Sequence, residues 1–404
     1  MINFFLVLLG KNISNFSELF NLGSGSTWPG HIALSINPHF IQDILKKNKT
    51  KVILIAGTNG KTTTAKLIQI ILEKDGKKVF RNESGANLLN GIASSMLLRS
   101  SILCKLNFDF AIFEMDENNL PDAISATNPS TILLLDLFRD QLDRYGEIDS
   151  IVKKWKDSLQ KLDSKTILIL NADDPEVAFI GKNLNTNTFY FGLDDAKIAK
   201  TSLQHAVDSI YCPNCGEKLT FKKVYLSHLG DWECPNCKEK KPQIFLEKAP
   251  FYPLNGVYNR YNTHAALLAA RTLQIPDSTI NDALKDFKPA FGRQEKLTIE
   301  SKKVQIFLSK NPTSFNESLR TINELACPQR QQAGLLGGRG AKNLLIVLNN
   351  RIPDGRDVSW IWDADVEGLD DNLNITISGD RAYDMGLRLK YSQEDQRSKT
   401  KLKV

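Results

Sequence analysis

The segment Ile53-Leu-Ile-Ala-Gly57-Thr58-Asn59-Gly60-Lys61-Thr62-Thr63-Thr64 constrains this chain more than any other. An apolar run from Val52 to Ala56 reads as a buried strand. Gly57 and Gly60 follow, where the backbone can turn tightly and approach a ligand with no Cβ in the way. A helix then opens on hydroxyl residues, and the amides of its first turn converge on one point, which favours an anion. Lys61 adds a point charge for outer phosphates, and Thr62 adds a hydroxyl for Mg²⁺. The first glycine stands three residues before the second, closer than in the Gly-x-x-x-x-Gly-Lys-[Ser/Thr] loop.

The rest of the chain alternates strands with helices. Residues 1–48 read as a helical lead-in. From Lys51 onward come a helix over Thr63–Lys74 and short apolar runs at Val79-Phe80, Asp109–Phe113, Thr131–Leu135 and Lys165–Leu170. This pattern predicts an α/β fold with a parallel sheet and ligands at the carboxyl ends of its strands. Glu114, expected just after its strand, suits Mg²⁺ held directly or through water. Residues 49–296 read as the central ATP-binding domain. From about residue 297, strands over Val304–Leu308, Asn343–Leu348 and around Ile375 predict a smaller C-terminal α/β domain, Rossmann-like in pattern, over 297–404.

Residues 205–242 interrupt the alternation. Cys212-Pro-Asn-Cys215 and Cys234-Pro-Asn-Cys237 are separated by eighteen residues. Two such knuckles can give four thiolates to one tetrahedral Zn²⁺, a closed structural site with no place for a catalytic water. The insertion reads as a zinc ribbon that stabilises a loop beside the sheet. His228 lies between the knuckles and is redundant as a ligand. The knuckles lack a basic and aromatic platform, so a nucleic-acid partner is not expected.

A formal charge of +6 is mild for 404 residues and fits an anionic substrate or membrane surface without arguing for nucleic acid. The apolar start, Met1 to Gly10, has no basic n-region and is too short to span a bilayer. It reads as a packed first helix, with a membrane-facing stripe as the alternative. The expectation is a soluble cytoplasmic protein, acting at the inner face of the membrane.

The residues Gly57-Thr-Asn-Gly60-Lys61-Thr62-Thr63 resemble the ATP-binding loop of the Mur ligases, which extend peptidoglycan stem peptides. The position of Glu114 resembles that of the family's Mg²⁺-binding glutamate. Asn171-Ala-Asp173-Asp174-Pro175 resembles a family turn, and Leu137 to Gly146 a stretch in which many members carry a histidine where Gln141 stands here. Gly256-Val-Tyr-Asn259-Arg-Tyr-Asn262 resembles the element whose asparagines contact the nucleotide, and Gly292-Arg293-Gln294-Glu295 the one whose arginine approaches it.

The knuckles, together with Asp354-Gly-x-Asp357-x-Ser-Trp-x-Trp-Asp363 and Gly379-Asp-Arg-Ala, resemble one branch of that family, the synthetase subunits that amidate lipid II. The resemblance implies ATP-dependent conversion of the D-glutamate α-carboxyl of the stem peptide to its amide through an acyl phosphate. It also implies a GatD-like glutamine amidotransferase subunit that supplies ammonia. In that branch an aspartate of the C-terminal domain completes the Cys–His site of the glutaminase; Asp357 or Asp354 would fill that role. A ligase that adds an amino acid, and a zinc-ribbon nucleic-acid-binding NTPase, remain as alternatives.

Overall fold

The computed structural model describes the chain except residues 1, 20–26, 83–84, 140–147, 204–206, 246–247, 291, 327–342, 351–358, 371–372, 395–401 and 404, and except the side chains of 17–19, 324–326, 393–394 and 402–403. Its centre is a six-stranded sheet of β1 (Lys51–Ala56), β2 (Val79–Arg81), β3 (Phe110–Glu114), β4 (Thr131–Leu134), β5 (Ile167–Asn171) and β6 (Asn187–Phe191). The order is β2-β3-β1-β4-β5-β6, and every pairing is parallel. Helices cover both faces, so β3 and β4 are buried at every residue. That double burial is why these strands read as continuous apolar runs rather than alternating ones.

Alternate residues of β1 feed two cores. Val52, Leu54 and Ala56 face helices from the lead-in, and Ile53 and Ile55 face the helices Lys61–Lys74 and Val257–Thr272. Lead-in helices Ile2–Leu19, Trp28–Ile36 and Phe40–Lys47 stack on Leu89–Arg99. Close approach there needs glycine, because a Cβ on Gly30 would stand 2.0 Å from the Asn90 carbonyl oxygen.

The chain leaves β1 towards β3 and β2 on one side, then crosses to β4, β5 and β6 on the other. Strand β1 therefore lies at the point where the order reverses, and a crevice opens beyond the carboxyl ends of β1, β3 and β4.

The helix after β1 begins at Lys61, two residues before the expected Thr63, since Gly60 at φ +85° already acts as its N-cap. The strand expected over Val304–Leu308 is one arm of an antiparallel hairpin, β9 (Arg293–Ile299) with β10 (Lys302–Phe307), rather than part of a doubly wound sheet. This hairpin spans residue 297, where the sequence places the start of the last domain. Beyond it, β11 (Asn343–Val347), β12 (Asn374–Ser378) and β13 (Leu402–Lys403) form a parallel sheet. Helices Pro312–Ala326 and Ala382–Glu394 pack around its core of Leu319, Ile346, Ile375, Ile377, Met385 and Leu389.

Candidate active site

A cavity of about 260 Å³ occupies the crevice. Thr58 to Thr63 form one wall. Glu114 and Asp136, at the ends of β3 and β4, form a second with Glu117. The hairpin residues Arg293 and Gln294, and Lys310, Thr313, Ser314 and Glu317 beside the last domain, close a third.

The phosphate-loop candidate is held from three directions. The Asp136 carbonyl oxygen accepts the Thr58 amide at 2.9 Å, and its carboxylate accepts the Asn59 amide at 2.7 Å. Burial pushes the Asp136 carboxyl well above the usual carboxylate range, opposed by the Asn59 amide. The Thr58 hydroxyl accepts from the Phe138 amide at 3.0 Å. From the other side Asn262 turns its Oδ1 towards Gly60, so closely that a Cβ on Gly60 would lie 2.1 Å from it. Asn262 also donates to the Asn259 Oδ1 at 3.1 Å, and Asn259 donates to the Asn255 carbonyl at 2.7 Å. The two amides thus brace the loop as well as lining the cavity.

Lys61 folds back over the loop. Its ammonium donates to the Gly57 carbonyl and to the Thr58 carbonyl at 3.3 Å, and lies 3.5 Å from Glu117 Oε1. In that place an ammonium can move onto an entering anion. The Thr62 hydroxyl donates to Glu114 Oε2 at 2.6 Å. Arg81 sits 3.3 Å from Glu114 Oε1, and Asn82 clamps the Glu114 backbone at both its amide and its carbonyl. A hydroxyl and a carboxylate in contact are hard oxygen donors of the kind Mg²⁺ takes alongside phosphate and water, so this pair fits that ion. The last domain reaches the same loop, where Asn311 donates to Asn59 Oδ1 at 3.3 Å.

The four expected cysteines converge. Cys212 and Cys237 sulfurs are 3.5 Å apart, as are those of Cys215 and Cys234, and all four lie within 4.8 Å of one another. Sulfurs about 2.3 Å from a shared centre would stand about 3.8 Å apart in a tetrahedron, so the donor set fits Zn²⁺. Gly216 at φ +74° and Lys238 at φ +64° make the left-handed corners that bring each knuckle round. Between the knuckles runs the hairpin of β7 (Thr220–Leu226) and β8 (Leu229–Glu233). The buried Trp232 donates to the Ala172 carbonyl at 3.0 Å, and the Gly230 amide to that of Asp173 at 3.0 Å. The tip places the buried His228 3.6 Å from Asp174, with its ring 4.6 Å from that of Phe138. Asp174 in turn accepts the Leu137 amide at 2.8 Å. The ribbon therefore backs the strand-end segment that grips the candidate phosphate loop.

Sequence reasoning singled out Gly57 to Thr63, Glu114, Asn259, Asn262 and Arg293, and all of them except Gly57 line this cavity. It did not single out Asp136, Arg81 and Asn82, which sit at strand ends far apart in the chain, or Asn311, just before the helix Pro312–Ala326; none has a motif of its own. Asp354 and Asp357 lie outside the described residues, as does Gln141.

The comparisons with known proteins agree with this architecture. Residues 55–270 match the Mur ligase middle domain, and residues 308–403 match the MurT ligase C-terminal domain. A pseudomurein peptide ligase type C from Methanothermus fervidus superposes with a TM-score of 0.62 at 26% identity, covering 90% of this chain and 69% of that one. The MurF ligase from Thermotoga maritima, solved in complex with ADP, shares the fold at a TM-score of 0.55 and 16% identity, over 85% of this chain and 70% of that one. The chain belongs to the Mur ligase family and is an ATP-dependent ligase.

Within that family, relatives named lipid II isoglutaminyl synthase (glutamine-hydrolyzing) subunit MurT align over nearly the whole chain. The protein from Staphylococcus aureus (strain COL) is 33% identical over 390 residues, 91% of this chain and 83% of its own. The protein from Streptococcus pneumoniae (strain ATCC BAA-255 / R6) is 31% identical over 405 residues, 95% and 86% respectively. The chain belongs with these MurT subunits.

Proposed function

We propose that the chain amidates the α-carboxyl of D-glutamate in the stem peptide of lipid II, using ATP and ammonia from a GatD-like glutaminase. The observation that carries this reading is the phosphate loop with Lys61 and the Thr62–Glu114 pair, set in a cavity that residues of the last domain close, in a chain that aligns with MurT subunits over nearly its whole length.

A carboxylate is a poor electrophile. In the proposed reaction its oxygen attacks the γ-phosphorus of ATP, ADP leaves, and an acyl phosphate remains. The nitrogen of ammonia then attacks the acyl carbon, phosphate leaves, and one proton is lost. Catalysis of such a transfer rests mainly on positioning and on charge placed around the phosphoryl oxygens. The amides of Gly60 to Thr62 cradle phosphate, and Lys61 leaves the Gly57 and Thr58 carbonyls to meet the transferring group. Arg293, on the opposite wall, suits phosphate through its planar fork. Thr62 and Glu114 would hold Mg²⁺, which would supply positive charge against the phosphoryl oxygens. Asn259 and Asn262 keep the loop in shape and face the nucleotide. Zn²⁺ on Cys212, Cys215, Cys234 and Cys237 serves structure alone. Asp357, or Asp354, would orient the imidazole of the partner's Cys–His pair.

The test is co-expression with a candidate glutaminase, followed by mass analysis of lipid II incubated with glutamine and ATP. Amidation that needs both, and that Lys61→Ala abolishes, supports the reading. Turnover of ATP with a free amino acid and no glutaminase would overturn it.

A further inference from the structure

The first helix presents an apolar face that nothing among the described residues covers. Ile2, Phe5, Leu8 and Leu9 are 40–59% exposed, while Leu6 and Val7 on the opposite side fill the core. Among the described side chains of this helix Lys11 is the single charge, and there is no acid. The surface continues beyond the helix. Asn3 donates to Asp43 at 3.0 Å and accepts from Asn37 at 2.8 Å, which sets the exposed Ile36 beside the helix start. One turn after Asp43, the Lys47 ammonium donates to the Leu103 carbonyl at 2.7 Å, so the exposed Ile102 and Leu103 join the same side.

Among the described residues, cations stand beside this surface: Lys11 and Lys47, with Lys46 near Asp43 and Lys105 two residues after Leu103. The nearby acid, Asp43, has its carboxylate taken by Asn3 and Asn37. An aliphatic and aromatic stripe with a basic rim is complementary to an anionic bilayer: side chains enter the headgroup–acyl boundary and the rim meets lipid phosphates. A second copy of this chain fits worse, because a two-fold contact sets each basic rim against itself.

We propose that this face docks on an anionic lipid surface, with Phe5, Leu8, Leu9 and Leu103 inserted. The helix Leu89–Arg99 connects this face to the cavity, since Asn87 just before it lines the cavity and Leu98 near its end accepts from Lys11. Eleven helical residues span about 16 Å, so docking leaves the nucleotide site open to solvent. The proposal does not depend on which acid is amidated, and its test measures lipid binding without turnover.

The full chain is sedimented with phosphatidylglycerol–phosphatidylcholine vesicles and with phosphatidylcholine vesicles. Binding to the first, weakened by salt and at least about tenfold lower on the second or for Phe5→Ser/Leu9→Ser, is expected. Lys47→Gln/Lys105→Gln should lose the preference for phosphatidylglycerol while keeping the fold. ATP affinity of each variant, unchanged from the parent, shows that the central domain is intact. Absence of vesicle binding by the parent chain would overturn the proposal. So would binding indifferent to both double substitutions, or a parent dimer that Phe5→Ser/Leu9→Ser turns into a monomer.

Discussion

Replacing Lys241 with methionine tests how the zinc ribbon is tied to the nucleotide site. Lys241 follows the second knuckle, and its ammonium lies 2.7 Å from Oδ1 of the fully buried Asp173. Tyr261, on the helix that carries Asn259 and Asn262, donates to the other carboxylate oxygen at 2.6 Å, and the Leu193 amide donates at 3.0 Å. Burial pushes the Asp173 carboxyl above its ordinary range, and Lys241 is the chief group pulling it back. Methionine keeps the stem but leaves a buried carboxylate without its cation, at a cost of about 3–5 kcal/mol. For a domain of this size that lowers the melting temperature by on the order of 10 °C.

The pH dependence carries the sharper test. Without Lys241 the folded pKa of Asp173 rises further above its unfolded value. A carboxyl raised in this way favours folding when protonated, and that contribution is lost as pH rises through the folded pKa. The gap in melting temperature between parent and variant should therefore be widest at higher pH, where the carboxyl is ionised, and narrow as pH falls and it takes up a proton. Measuring both proteins side by side removes the shared effect of acid on the cysteines. A gap that stays constant, or widens in acid, would refute the assignment of this ion pair.

Three further outcomes are expected. Gly60→Ala forces a side chain into φ +85° and against Asn262, with about 1–2 kcal/mol of backbone strain alone. ATP affinity measured by calorimetry should drop about tenfold or more, and an unchanged affinity would mean that the loop does not bind the nucleotide. Cys234→Ser should lower bound zinc, read by metal analysis, and destabilise the central domain, since Trp232 two residues earlier anchors the ribbon to the sheet. A variant with full zinc and an unchanged melting temperature would sink the four-thiolate reading. His264, buried between the Tyr252 hydroxyl and the Gly192 carbonyl, has its pKa pushed down to about 4 by burial. The unfolded chain gains a proton there below about pH 6.5 that the native state refuses, so stability falls between that pH and about 4. An imidazole resonance that titrates near 6.5 would contradict this.

Local chemistry made much of the molecule readable in advance. Gly57 to Thr64 carried strand end, turn and helix start in one stretch, because a strand–turn–helix connection is built from consecutive residues. Glu114 was legible as a carboxylate at a strand end, and the four cysteines as a convergent set of thiols that could hold a metal ion, because a knuckle closes within a few residues. The helix start at Lys61 was missed by two positions, since a glycine N-cap leaves little mark in the residue pattern. The β9–β10 hairpin was missed because Lys302 to Phe307 alternates no more clearly than a parallel strand does.

Sequence order alone determined that an anion loop, a four-sulfur site and alternating strands and helices would be present, since each depends on residues close together along the chain. Only the tertiary structure decided that Asn262 would press on Gly60, that Asp136 and Arg81 would hold the loop and Glu114, and that His228 would reach Asp174. Those contacts join residues 33–202 positions apart, and they exist because β1 lies where the strand order reverses and gathers the ends of its neighbours around one crevice.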